Sequence, residues 1–383
     1  MTQLTRVDAE SPEAGRLLRE ICAVLLAHGG EIHPGAQLVE RGGRFQVDCD
    51  LAAARTERPA RAVFRLPLEL LIPVQDIDWD PGRAVLRLGA QPSGLSSLRK
   101  DLLALHLALY NNSDKLGWAC THLPHLALRP DSALWTAVQA VRPFQSSGTA
   151  ARTFIQTRAW SPPPPILPPG HKVLMPLVDL LNHHPKGERF LIDARHLWIQ
   201  RAQPARPEAQ CFACYGPEKD VLDMALGFGH ADPHIPYARS APVEVELAGI
   251  GRLRVLGLRM KPLHPMSAPQ VALTEEALTL SHVVCDRDHP ERLPALLRLA
   301  ILGAARQHGM TTSAGEHAVE QALLGMRQAN LDLLATVRTA ASQSADLPVG
   351  ALLAEAAALQ ARIIDAVMRP RPAQSAQRTP LSS

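Results

Sequence analysis

A chain of 383 residues that is 46% hydrophobic, with 33 prolines and 24 glycines, is too long for a mini-protein and too apolar to stay unfolded, so it should bury a core. Aromatics supply 4% of the residues and tyrosine occurs three times, so leucine, valine and alanine must provide most of that core. The net charge of +3, from 40 basic against 37 acidic side chains, is too small to argue for a nucleic acid or a membrane surface as partner.

At ~100 to 200 residues per domain the length suggests two domains, or one large domain with a helical extension. The six cysteines are scattered except for Cys211 and Cys214, which does not resemble a disulfide framework. The first residues are acidic where a signal peptide would be basic, and no run approaches the ~20 apolar residues of a membrane span. A soluble, cytoplasmic protein with reduced thiols is expected.

Ser11-Pro12-Glu13 carries the marks of a helix start, and Leu17, Leu18, Ile21, Leu25 and Leu26 follow at helical spacing until Gly29-Gly30. Short strands are expected over 36–39, 45–47, 62–66 and 84–88, separated by Gly, Pro and charged clusters. Helical periodicity returns over 93–109 and 132–141, and 153–160 is β-prone. The proline-rich stretch 161–170 reads as a stiff connector. An apolar run then ends in Asn182-His183-His184-Pro185, which alone would read as a helix end. Strands over 189–193, 196–201 and 210–215, a helix over 219–226, and a hairpin joining 243–247 to 253–258 come next. Thr274 with Glu275 and Glu276 looks like a helix cap, and 293–305, 316–339 and 349–368 read as long helices. The tail 369–383 has no apolar periodicity and is expected to be disordered.

Two segments stand out as carriers of chemistry: Pro176-Leu177-Val178-Asp179-Leu180-Leu181-Asn182-His183 and Cys211-Phe212-Ala213-Cys214-Tyr215-Gly216-Pro217. Upstream lies Thr157-Arg158-Ala159-Trp160, and downstream Leu226-Gly227-Phe228. In order and spacing these four segments resemble the SET-domain methyltransferases, in the class of the Rubisco large-subunit lysine methyltransferase and its actin-histidine relative. The resemblance covers roughly 27–258. It implies an α+β fold: a β-rich SET domain over 1–260 with a helical insert at about 94–150, an all-α substrate-binding-like domain over 261–368, and the tail. It also implies that the Asn-His and Tyr-Gly segments thread past one another beside S-adenosylmethionine.

Carried over residue by residue, the resemblance makes Tyr215 the catalytic residue. Asn182 and His183 would hold the cofactor's amino-acid end, Arg158 its carboxylate, and Phe228 would lie against the adenine. Gln75, Asp76 and Ile77 would contact the cofactor mainly by backbone. Asp179, Trp160 and Leu226 would line the substrate side, and the aromatic at Trp160 favours a lysine over a histidine. No metal is implied: Cys211 and Cys214 would face opposite sides of a strand, without a second pair at ligand spacing. The partner is a protein substrate, with neither nucleic acid nor membrane. The chain departs from the pattern at Gly42-Gly43-Arg44-Phe45, where the glycine-rich signature is not intact, at Gln75, often Glu, and at Leu226, often a second tyrosine. The alternative reading is a SET-like binding or scaffold protein impaired in catalysis.

Overall fold

The computed structural model describes residues 6–49, 62–80, 85–89, 95–143, 153–155, 157–162, 171–200, 210–216, 219–257, 268–344 and 347–369. Most of the proline-rich stretch and all of the tail beyond 369 lie outside the described residues. The chain is α+β and groups into two compact units. The first takes in Met1–Ala127, Gln145–Pro217 and Gly227–Gly229, and the second Leu128–Phe144, Glu218–Leu226 and His230–Ser383.

The first unit opens with strand β1 (Arg6–Ala9) and helix α1 (Pro12–Ala27). Ser11 caps α1 by accepting the Ala14 amide at 3.2 Å, and Pro12 stands at its first position, where no amide proton is needed. Leu17, Leu18, Ile21 and Leu25 form its buried face. After β2 (Glu31–Ile32), strands β3 (Ala36–Arg41) and β4 (Arg44–Cys49) form a hairpin, with β1 parallel to β3. The hairpin turns through Gly42 and Gly43, at φ 54° and 75°, the pair of left-handed residues that a two-residue turn with native strand twist requires. The buried Glu40 side chain accepts the Gly43 amide at 2.6 Å and the Ser11 amide at 2.8 Å, tying this turn to the start of α1.

Strand β5 (Ala62–Pro67) pairs with β2, and β6 (Ile72–Pro73), β7 (Ile77–Asp80) and β8 (Val85–Leu88) follow. Then come α2 (Ser97–Asn111), α3 (Lys115–His122) and the short α4 (Pro124–Ala127). The β-prone stretch after Thr153 is extended only at β9 (Ala159–Trp160); residues 153–155 form a helical turn. Strand β10 (Val173–Leu174) lies between β9 and β6, with Trp160 and Pro73 both opposite Val173. Asn182 and His183 do not end a helix. They begin strand β11 (Asn182–Glu188), because the chain has already turned at the single helical turn Val178–Leu180. Strands β12 (Phe190–Ile192) and β13 (His196–Gln200) extend the β5–β2 sheet, and β14 (Phe212–Ala213) pairs in parallel with β11. One apolar core, including Phe64, Leu66, Ile72, Leu102, Phe154, Leu174 and Leu180, runs beneath these sheets.

The second unit contains α5 (Ala133–Val141) and most of α6 (Val221–Phe228). Strands β15 (Tyr237–Arg239), β16 (Val243–Leu247), β17 (Gly251–Val255), β18 (Val271–Leu273), β19 (Ala277–Leu280) and β20 (Val284–Asp286) follow. The expected 243–258 hairpin forms with Val243 opposite Val255, and β19 and β18 complete its sheet in the order β16-β17-β19-β18. Thr274 therefore does not open a helix. Its hydroxyl accepts the Ala277 amide at 3.1 Å and closes a turn between β18 and β19. Helices α7 (Arg292–Gln307), α8 (Thr312–Ser342) and α9 (Pro348–Met368) close the chain around Leu297, Ile301, Met326, Leu334, Leu353 and Ile364. A buried charge cluster joins Arg142 to Asp220 at 2.6 Å, Arg239 to Asp223 at 2.5 Å, and Gln360 to Asp220 at 2.8 Å.

Candidate active site

The parallel pair β11–β14 brings together the two segments that stood out in the sequence. Asn182 lies opposite Phe212 and His183 opposite Ala213, with a register shift before Glu188 pairs again with Ala213. Close approach depends on Gly187, where a Cβ would fall 2.7 Å from the Ala213 carbonyl carbon, nearer than real side chains come. The Cys211 amide donates to Val47 O at 2.7 Å and the Cys214 amide to Glu188 O at 2.8 Å, so the segment bearing Tyr215 is bonded to both β4 and β11.

Tyr215 is then held at three points. Its amide donates to His183 Nδ1 at 3.1 Å, which makes that nitrogen the unprotonated one. Its hydroxyl donates to Leu181 O at 2.5 Å. Its ring lies 5.0 Å from Phe228 and 5.1 Å from His183, centroid to centroid, both tilted at 42°. Burial pushes the phenol above its ordinary pKa; the nearby Arg158 guanidinium opposes this and the Asp179 carboxyl adds to it. The hydroxyl therefore stays protonated at neutral pH.

Arg158 follows a compact turn in which the Thr157 and Arg158 amides donate to Phe154 O and Ile155 O, each at 3.0 Å. Its guanidinium carbon sits 5.7 Å from the Phe154 ring centroid, and one terminal nitrogen donates to Asp179 O at 3.3 Å. Nε is buried without a hydrogen-bond partner. Burial lowers the Arg158 pKa, with Tyr215 acting in the other direction.

Asp179 is 5% exposed and lies on the turn Val178–Leu180, two residues before the carbonyl that receives the Tyr215 hydroxyl. The turn begins at Leu177, which holds φ 65° although it is neither glycine nor asparagine, a conformation that a β-carbon disfavours by about 1 kcal/mol or more. Asp179 Oδ2 accepts the Tyr110 hydroxyl, Oδ1 is buried without a partner, and burial raises its carboxyl far above the usual range. On α2 Tyr110 occupies an ordinary inward position beside Leu107 and Leu109, with nothing local to mark it as more than core. Only the fold places it against a residue 69 positions away.

The other expected residues lie as follows. The Asn182 side-chain amide donates to Phe45 O at 3.4 Å. Trp160, on the β9–β10–β6 sheet, packs edge-on against Phe190 at 6.0 Å. Gln75 and Asp76 form the turn after β6, which shares the β6-β10-β9 sheet with Trp160, and Ile77 begins β7 of a separate two-stranded sheet with β8. Leu226 is buried in α6 and belongs to the second unit. The hairpin turn Gly42–Gly43 meets the head of α3, since a Cβ on Gly43 would stand 2.6 Å from the Asp114 amide nitrogen.

No protein-family model and no curated protein matches the chain. Among solved structures, it is similar to the SET domain of LSMT bound to lysine and AdoHcy at 12% identity and a TM-score of 0.42, over 93% of this chain and 91% of that one. It is also similar to the SET domain of LSMT bound to MeLysine and AdoHcy and to Rubisco LSMT bound to AdoMet, each at 12% identity and a TM-score of 0.41, over 92% of this chain and 90% of that one.

Proposed function

We propose that the first unit is an S-adenosylmethionine-dependent protein N-methyltransferase of the SET type that methylates a lysine side chain. The observation that carries this reading is the three-point fixation of Tyr215 between His183, Leu181 O and Phe228, beside a half-buried Arg158 whose Nε is buried and unpartnered. The residues fit the cofactor: an orphaned guanidinium donor suits a carboxylate, and the half-buried ring of Phe228 suits a purine. Arg158, Asn182 and the backbone at His183 would hold the amino-acid end, Phe228 the adenine, and the 75–77 turn the remainder. When bound, S-adenosylmethionine supplies an activated methyl group on a positively charged sulfur.

A lysine amine with an ordinary pKa of about 10.4 is mostly protonated at neutral pH and must lose a proton before it can act as a nucleophile. The Tyr215 hydroxyl spends its own proton on Leu181 O, so its oxygen is free to accept an N–H from the amine and aim the nitrogen lone pair. Because burial keeps the phenol protonated, Tyr215 orients the amine rather than removing its proton. Arg158 and a low-dielectric surround disfavour an ammonium, which sends that proton to solvent. Trp160 and Asp179 line the approach.

Isothermal calorimetry with S-adenosylmethionine and its demethylated product tests the reading directly. Binding is expected, and its absence at high micromolar ligand would leave only a binding or scaffold role. With binding seen, Tyr215→Phe should slow methyl transfer about 100-fold or more while cofactor affinity stays within about twofold. Undiminished transfer by that variant would remove the role given to Tyr215.

A further inference from the structure

We propose that Tyr110, on α2, is a positioning residue for methyl transfer: through Asp179 it clamps the turn Val178–Leu180, and that turn sets the carbonyl on which the Tyr215 hydroxyl is aimed. The inference rests on the function proposed above. It gives α2, which carries none of the recognised motifs, a part in the reaction.

The turn offers its polar groups in three directions. The Asp179 side chain accepts the Tyr110 hydroxyl, the Asp179 carbonyl accepts a terminal nitrogen of Arg158 at 3.3 Å, and the Leu181 carbonyl accepts the Tyr215 hydroxyl at 2.5 Å. Within the stretch, the amides of Asp179, Leu180 and Leu181 donate to Met175 O, Leu177 O and Val178 O at 3.0, 3.2 and 3.2 Å, so it moves as one piece. Asn182 and His183 follow at once as the start of β11. A displacement of Asp179 is therefore a displacement of Leu181 O.

Such a turn needs an outside hold. It starts at Leu177, fully buried and at φ 65°, a conformation that a residue with a β-carbon keeps only where its surroundings over-determine it. Tyr110 supplies that hold from a rigid place: it is fully buried on a 15-residue helix, with its ring 5.9 Å from His106 and edge-on to Phe154 at 5.3 Å. Among the described residues no other side chain donates to the Asp179 carboxyl. Packing explains why a buried hydroxyl and a buried carboxyl satisfy one another. It does not explain why the bond falls on the one turn that also carries the acceptors of Arg158 and Tyr215. The ring and the hydroxyl have separate tasks, because Phe154 also lies 5.7 Å from the Arg158 guanidinium. Tyr110→Phe keeps the ring, and with it the seat of Arg158, and releases only the turn.

With only three tyrosines in the chain, the clamp can be observed directly. Carbon-13 at the tyrosine Cζ gives resonances that single substitutions assign, and each reports the hydrogen bonding of its hydroxyl. Tyr110→Phe should move the Tyr215 resonance and leave that of Tyr237, in the second unit, in place. Asp179→Asn, which keeps an acceptor for the Tyr110 hydroxyl, should leave Tyr215 near its original position. With S-adenosylmethionine and free L-lysine as acceptor, Tyr110→Phe should slow transfer about 10-fold or more and hold S-adenosylhomocysteine affinity within about twofold. In the Tyr215→Phe background the same substitution should cost less than about twofold, because the group it positions is gone, whereas general damage to the fold would slow both backgrounds alike. An unmoved Tyr215 resonance, or equal losses in the two backgrounds, would overturn the clamp while leaving the methyltransferase reading intact. Failure of the unsubstituted protein to bind S-adenosylhomocysteine would overturn that reading, and the Tyr215 resonance would still decide whether Tyr110 holds the turn.

Discussion

Replacing Tyr110 by Phe removes one oxygen from a fully buried ring and keeps its packing, including the edge-on contact with Phe154 at 5.3 Å. What is lost is the hydroxyl donated to Asp179 Oδ2. With Oδ1 already unpartnered, the carboxyl is left without any side-chain donor among the described residues. An acceptor stranded in this way costs about 1 to 3 kcal/mol. In a unit on the order of 200 residues each kcal/mol moves Tm by about 2 to 4 °C, so a loss near 2 kcal/mol lowers Tm by about 4 to 8 °C. Urea unfolding at neutral pH measures the free energy, and an unchanged slope shows that the denatured state is the same. Asp179→Asn supplies the pH arm. Burial raises the folded carboxyl pKa, so its unfavourable ionisation is absent below the unfolded value of about 3.9 and erodes stability as pH rises toward the folded value. Asp179→Asn should therefore gain on the unsubstituted protein as pH rises from about 4. A loss below about 0.5 kcal/mol for Tyr110→Phe, or parallel pH curves for Asp179→Asn, would refute the reasoning.

His106 is fully buried with both ring nitrogens unpartnered, and burial brings its pKa down to about 4. A depressed pKa gives stability that is complete above the unfolded value of about 6.5 and is lost as pH falls toward 4, about 3 kcal/mol in all. His106→Leu should abolish that part of the acid slope, and an unaltered slope would show that the imidazole is charged in the fold. In the second unit, Asp220 is fully buried between Arg142 and Arg239; burial raises its pKa, but the two guanidinium groups win and bring it below normal. Asp220→Asn should cost about 3 to 5 kcal/mol above pH 4, because it strands buried positive charge. The penalty should shrink as pH falls through the folded pKa, and chemical unfolding followed across pH would expose a pair that contributes nothing. Tyr215→Phe, which removes the hydroxyl bonded to Leu181 O, should act on methyl transfer and not on cofactor affinity.

Local chemistry was enough to read the elements whose signals lie within a few residues of one another. Ser11-Pro12 starts α1, Thr311 caps α8 by accepting the Ala314 amide, and the alternation at 243–247 predicts one arm of a real hairpin. Thr274 was misread for a physical reason: a threonine before two acids can cap a helix or close a turn, and pairing of β19 with β17 decided for the turn. Asn182-His183 was likewise ambiguous until β14 arrived to pair with it.

By itself the sequence could single out Tyr215, Arg158, Asn182, His183 and Phe228 as candidates, because each sits in a short recognisable string. It could not say that the Tyr215 hydroxyl would be spent on Leu181 O, nor that Asp179 would be buried against Tyr110. Tyr110 carries no local mark, since an inward tyrosine is common on any amphipathic helix. Its environment is made by partners tens of residues away. Burial and convergence of charge are properties of the packed chain, and only the tertiary structure decides them.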